Sequence, residues 1–152
     1  MNNINNIFIE GTSKTPKIDF NQQTGNLILS GRSYPEDAAR VYEALFNWIQ
    51  EYIKFPCQTT NFHMNLEYYN SASLVWISKI FRKLSKIQVP DSVLFLHLYF
   101  DIQDFNNMKT DELSDIVSSI IGNIKALKIS VGIKVHGTDI TGKIVKDSII
   151  YI

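Results

Sequence analysis

Leu66-Glu67-Tyr68-Tyr69-Asn70-Ser71-Ala72-Ser73-Leu74 joins two different periodicities. Upstream, Phe62, Met64, Leu66 and Tyr68 recur at every second residue, in a run rich in strand formers from Thr59 to Tyr69. Downstream, Leu74, Ile77, Ile80, Phe81, Leu84 and Ile87 recur at three- and four-residue spacing, with Lys79, Arg82, Lys83 and Lys86 on the other side. A strand therefore gives way to an amphipathic helix at Asn70, a residue type suited to capping. The corner is expected to hold the hydroxyls of Ser71 and Ser73 on the exposed first turn. Backbone N–H groups there lack intrahelical partners, and the positive end of the helix dipole favours an added phosphate.

The same pattern extends in both directions. Phe8-Ile9, Ile18 to Phe20 and Leu27 to Leu29 are short strand candidates separated by turn compositions, which predicts an antiparallel opening ribbon. Ser33-Tyr34-Pro35-Glu36 reads as a helix start, with Ser33 as cap and Glu36 closing a capping box. The stripe Ala38, Val41, Tyr42, Leu45, Trp48, Ile49, Tyr52, Ile53 predicts a long helix ending before Pro56. Its aromatics, Phe46 included, read as core, with Trp48 at the stripe edge able to reach solvent. After Pro90-Asp91, the apolar run Val93 to Phe100 predicts a central strand covered on both faces. A shorter helix over Asp111 to Ile121 and strands over Ile129 to Val135 and Ile144 to Ile152 complete the chain, with a turn at Gly137 to Gly142. The alternation predicts one α/β domain over residues 1–152, a mixed sheet with two main helices and one minor helix. Residues 1–6 are expected to fray.

Composition narrows the function. Fifteen basic and fifteen acidic residues cancel, so no global field steers the chain to nucleic acid or anionic lipid. The apolar runs are too short to insert into a bilayer. Cys57 is the single cysteine and has no disulfide partner, and the start carries no charged-then-apolar leader, which together predict a cytoplasmic protein. His63, His97 and His136 lie far apart without metal-ligand spacing, and His97 reads as a hydrogen-bonded core residue. Asp101, Asp104, Asp111, Glu112 and Asp115 fit no EF-hand loop and read as a solvated loop and an acidic helix start. No GxGxxG or Walker pattern occurs. Neither a catalytic residue, a metal nor a cofactor is expected.

Five motifs in order carry a resemblance. Gly11-Thr12 with Thr15-Pro16-Lys17-Ile18-Asp19-Phe20, Gly25-Asn26-Leu27, Gly31, Ser33-Tyr34-Pro35-Glu36 and Tyr69-Asn70-Ser71-Ala72-Ser73 resemble the SiaC family of bacterial regulatory phosphoproteins over roughly the first hundred residues. The resemblance implies a fold similar to the STAS domains of anti-sigma-factor antagonists, and a non-catalytic partner-switching role. It implies phosphorylation by a Ser/Thr kinase on the residue after the corner Asn, here Ser71, and reversal by a phosphatase of the PP2C type. It further implies that the unmodified form binds and activates an effector such as a diguanylate cyclase. The chain departs from the pattern after the central strand, where only Asp101 and Asp104 stand in place of a dense acidic run. The Asp111 helix lacks the family's Gly-Glu pair, and residues 125–152 read as an atypical C-terminal extension with an added hairpin.

A phosphate on Ser71 would bring about −1.5 to −2 charges to the corner. Tyr68, Tyr69, Asn70, Ser73 and Trp76 are expected to shape or border the partner surface, where an unpaired dianion is expensive to bury. Two other readings stand beside this one. In the first, Ser71 only caps the helix of a constitutive binding module. In the second, the chain is a small hydrolase with a strand-end acid, which would require a deep polar pocket with paired carboxylates.

Overall fold

Strand alternation decides which residues meet the helices. In the computed structural model, which describes residues 4–122 and 127–151, strands β1 (Ile7–Ile9), β2 (Lys17–Phe20), β3 (Asn26–Ser33), β4 (Thr59–Tyr69), β5 (Val93–Asp101), β6 (Ser130–Thr138) and β7 (Ile144–Tyr151) form one sheet in sequential order. The expectations for residues 1–3, for residue 152 and for the start of the extension at 125–126 lie outside the described residues. β1, β2 and β3 pair antiparallel, as the ribbon pattern predicts, β3 to β6 pair parallel, and β7 returns antiparallel on β6.

The strand order never reverses, so crossovers of one hand place their helices on one face. These are α1 (Ala38–Tyr52), α2 (Ser71–Leu84), α3 (Ile102–Asn107) and α4 (Thr110–Ile121), with α2 packed between α1 and α4. Beneath them the register aligns Phe20, Leu27, Phe62, Leu96 and Ile133 in one buried row, and Ile18, Leu29, Met64, Leu98 and Val135 in the next. Tyr42, Leu45, Ile49 and Tyr52 press α1 onto these rows. Each such side chain contributes about 1.5–3 kcal/mol by leaving water.

Several expectations change. β5 is not covered by helices on both faces: Leu94, Leu96 and Leu98 enter the helix-side core, whereas Phe95, His97 and Tyr99 occupy the helix-free side. Four helices occur among the described residues rather than three, because the Asp101 side chain accepts from the N–H of Asp104 at 2.8 Å and starts α3 inside an expected loop. Ser33 does not cap α1. Pairing with Tyr69 keeps it extended at the end of β3, and the cap falls to Asp37, whose carboxylate accepts from the Arg40 N–H. Pro35 also disfavours a helical Tyr34, and Glu36 turns outward to Lys14 at 3.5 Å instead of closing a box. Trp48 is buried, stacked on Tyr52, and donates from Nε1 to the Asn5 carbonyl at 2.7 Å.

Candidate functional site

The parallel pairing of β3 with β4 brings two strand ends to the start of α2. The Asn70 N–H donates to the Ser33 carbonyl at 2.9 Å, which ends β4 against β3. Asn70 is extended (φ −89°, ψ 173°), and its side-chain oxygen accepts from the Ser73 N–H at 2.9 Å. Asn70 is therefore the N-cap. Ser71 follows as the first helical residue, exposed, with its hydroxyl not needed for the cap. The first intrahelical bond runs from Leu74 N–H to the Asn70 carbonyl, so the N–H groups of Ser71 and Ala72 precede the hydrogen-bonded ladder. No acidic residue occupies the first turn, while Arg82 and Lys83 sit in the last, so the charge pattern leaves the positive helix end uncompensated.

Ser73 does not share that exposure. It is 0% exposed, contrary to the expectation that its hydroxyl stands on the open first turn and borders a partner. Its Oγ donates to the Ser33 carbonyl at 3.0 Å and accepts from Ser33 Oγ at 2.8 Å. Ser33 Oγ lies 2.5 Å from the Tyr42 hydroxyl. Each hydroxyl has one proton, so Tyr42 must donate to Ser33, Ser33 to Ser73, and Ser73 to the main chain. Burial raises the pKa of Tyr42, partly offset by the two serines, and keeps it a neutral donor. The reason for Ser73's position is helical phase: it lies four residues before Ile77 and extends the buried stripe.

The remaining expected border residues divide. Tyr68 is exposed and meets Tyr34 edge-on at 5.5 Å, while Arg32 lies over the Tyr34 ring. Tyr69 is half-buried, which raises its pKa. Trp76 is half-buried against Phe46 of α1, with the Lys79 ammonium 4.7 Å above its ring. Val75, one turn beyond Ser71, is exposed and was not singled out from the sequence. Its signal was available: Ser71, Val75 and Lys79 recur every fourth residue on the side opposite the core stripe.

A cleft of about 590 Å³ opens where β4 and β5 part beyond the Met64–Leu98 pair. Glu67, Tyr69, Tyr99, Asp101, Asp104 and Asp139 are among its lining residues. Two of its carboxylates serve the backbone: Asp101 caps α3, and Asp139 accepts from Thr141 and Lys143 in the β6–β7 turn, which lowers its pKa. Among the described residues, no three His, Cys, Asp or Glu side chains converge in a way that could hold a metal ion.

The sheet register also unites three histidines that lie far apart in sequence. On the helix-free face, the His63 and His97 rings stack at 4.1 Å and those of His97 and His136 at 5.2 Å. His97 Nε2 lies 2.8 Å from Asn61 Oδ1 and its Nδ1 2.9 Å from His136 Nε2, while His63 Nδ1 is 2.7 Å from the Tyr99 hydroxyl. His97 is thus the hydrogen-bonded core residue its apolar strand predicts. Burial, reinforced by neighbouring positive charge, holds His63 down to about 4 and His97 to about 3.

Comparison with known proteins agrees with this architecture. Residues 9–126 match the sequence profile of the SiaC family regulatory phosphoproteins. An uncharacterized protein of Pseudomonas aeruginosa (strain UCBPP-PA14) is 24% identical over 98 residues, spanning 64% of this chain and 78% of its own. Apo-SiaC from Pseudomonas aeruginosa superposes with a TM-score of 0.66 at 19% identity, covering 86% of this chain and 98% of the other. A chain from the complex of the diguanylate cyclase SiaD with its activator SiaC gives 0.65 at 22% identity, covering 86% and 99%. At these identities the superpositions establish the shared fold. No helix among the described residues is long and apolar enough to cross a membrane.

Proposed function

This chain belongs to the SiaC family of regulatory phosphoproteins, and from that premise we propose that Ser71 is its phosphoacceptor and the corner around it a partner switch. It is a regulator rather than an enzyme. A Ser/Thr kinase transfers the γ-phosphoryl group of ATP to Ser71 Oγ, and a PP2C-type phosphatase removes it. The unmodified form binds and activates an effector, a diguanylate cyclase by analogy with the complex of the diguanylate cyclase SiaD with its activator SiaC. The proposed setting is the cytoplasm, on a STAS-like layout with no cofactor of its own, and residues 125–152 are an extension of the family domain.

One observation carries the choice of Ser71: it is exposed at a helix start without acidic residues, whereas Ser73 is sealed in a closed chain of hydroxyls. Asn70, by supplying the cap, removes the main reason to read Ser71 as purely structural. Charge supplies the mechanism. A phosphate is well placed against the open N–H groups, so the fold survives modification. A partner seated on Tyr68, Ala72 and Val75 would have to bury that dianion, which disfavours binding.

Intact-mass measurement after incubation with the cognate kinase and ATP tests the assignment. One added phosphoryl group, lost in Ser71→Ala and kept in Ser73→Ala, is expected; modification of Ser71→Ala overturns it. Co-purification with the effector tests the switch, since undiminished binding by Ser71→Asp would make the chain a constitutive module.

A further inference from the structure

The histidine chain has an unfinished end. Asn61 Oδ1 can only accept, so His97 Nε2 carries the ring proton and its Nδ1 accepts from His136 Nε2–H. That leaves His136 Nδ1 as a bare lone pair, and it is buried without a hydrogen-bond partner. Both nitrogens of His97 are engaged, and so are both of His63, whose Nε2 lies 3.3 Å from Asn26 Oδ1. Among the ring nitrogens of these three histidines, His136 Nδ1 is therefore the one that can take a proton without breaking a hydrogen bond.

Each neighbour of that position can be named. Lys134 lies two residues away on the same face of β6. His97 and Tyr99 stack against His136 from β5, and His63 stands behind them on β4. From β7, Asp147 is the cross-strand partner of His136 and the one acidic group acting on it. β7 itself is weakly held. No side chain from Ile144 to Ile150 is buried, so its attachment rests on the ladder to β6, which carries an irregularity at Gly137–Thr138, and on exposed contacts of Lys146 with Asn106 and Phe105 of α3. Segments with few buried side chains open locally at small free energy.

We infer that β7 is an acid-released strap, and that proton uptake at His136 Nδ1 loosens it from β6. A proton there creates a charged donor with no acceptor, beside the Lys134 ammonium, in a site closed to water. Lifting β7 lets water reach the imidazolium. Burial lowers the His136 pKa more than the Asp147 carboxylate raises it, so linkage favours the open form as pH falls below the ordinary histidine value. Asp147 sets where release occurs: it opposes the shift while β7 is attached. His136 and β7 lie beyond residues 9–126, and the device is independent of the role proposed for Ser71.

Hydrogen exchange of the β7 amides, corrected for intrinsic rates and compared at about pH 7.5 and about pH 5.5, tests it. Protection of residues 144–151 is expected to fall about three- to tenfold at the lower pH while that of β5 changes less. His136→Gln should abolish the difference, and Asp147→Asn, an exposed substitution that leaves the core alone, should move release to higher pH. Unchanged β7 protection in the parent chain, pH-dependent release that persists in His136→Gln, or release in Asp147→Asn at unaltered pH would each overturn the inference. Ring-nitrogen NMR adds an independent reading: His136 must protonate at higher pH than His63 and His97, and on Nδ1.

Discussion

Removing the Ser73 hydroxyl is the most direct test of how the corner is built. In Ser73→Ala, the Ser33 hydroxyl loses the acceptor it reaches at 2.8 Å, while the Ser33 carbonyl keeps its bond from Asn70 N–H. One buried donor is orphaned, at a cost of about 1–3 kcal/mol. Ser33→Ala orphans a different donor, the Tyr42 hydroxyl, which has lost its acceptor at 2.5 Å. The double variant orphans only the Tyr42 proton, because the Ser33 donor and its acceptor vanish together. Its cost should therefore fall short of the sum of the single losses by about 1 kcal/mol. Urea unfolding followed by the fluorescence of Trp48 and Trp76 measures all three variants at constant m-value. Costs that add to within about 0.3–0.5 kcal/mol would refute the shared hydroxyl chain.

Two further outcomes follow from the same geometry. Asn70→Ala should lose about 1 kcal/mol with the cap, whereas Ser71→Ala should stay within about 0.5 kcal/mol of the parent; the reverse ranking by denaturant titration would transfer the cap to Ser71. Stability should also depend on acid through His97 and His63. Their folded pKa values, about 3 and about 4, lie below the unfolded value of 6.5, so the unfolded chain takes up protons first. Stability is then complete above about pH 7 and is lost as pH falls through 6.5 toward those values, with His97 alone accounting for about 1–2 kcal/mol by about pH 5. His97→Gln should flatten that slope in urea titrations; an unchanged slope would remove His97 as its source.

Elements with a strong local signal were readable from the residues. Alternation from Thr59 to Tyr69 defines β4 at those bounds, and the stripe after Asn70 defines α2. Local signals failed where a distant segment decides the outcome. Ser33 matches a capping pattern, but a parallel partner strand holds it extended, and Asp37 takes the cap. The run Val93 to Phe100 looks uniformly apolar because Phe95 and Tyr99 resemble core residues, although with His97 they line the face without helices. The histidine chain shows the boundary most clearly. His63, His97 and His136 each flank a buried apolar neighbour, so their common face was implicit in the period of two. What brings them into contact is the register of β4, β5 and β6, and no local pattern encodes a parallel register. Ser71 and Ser73 differ in another way, since extending the α2 stripe back from Ile77 separates them without any tertiary information.

That separation explains how a corner can be both a structural joint and a switch. Residues two apart on a helix point roughly 200° from one another, so one serine faces solvent while the other enters the core. Everything that fixes the strand-to-helix turn is on the inner side: the Asn70 cap, the Ser73 bond to Ser33, and the Tyr42 hydroxyl behind it. A charge added on the outer side meets only free N–H groups and solvent, with an interaction worth about 0.3–1 kcal/mol in favour of the helix. The joint therefore has no need to move when its outer serine is modified. The penalty falls on whatever must cover that serine, and binding can be changed while folding is left alone.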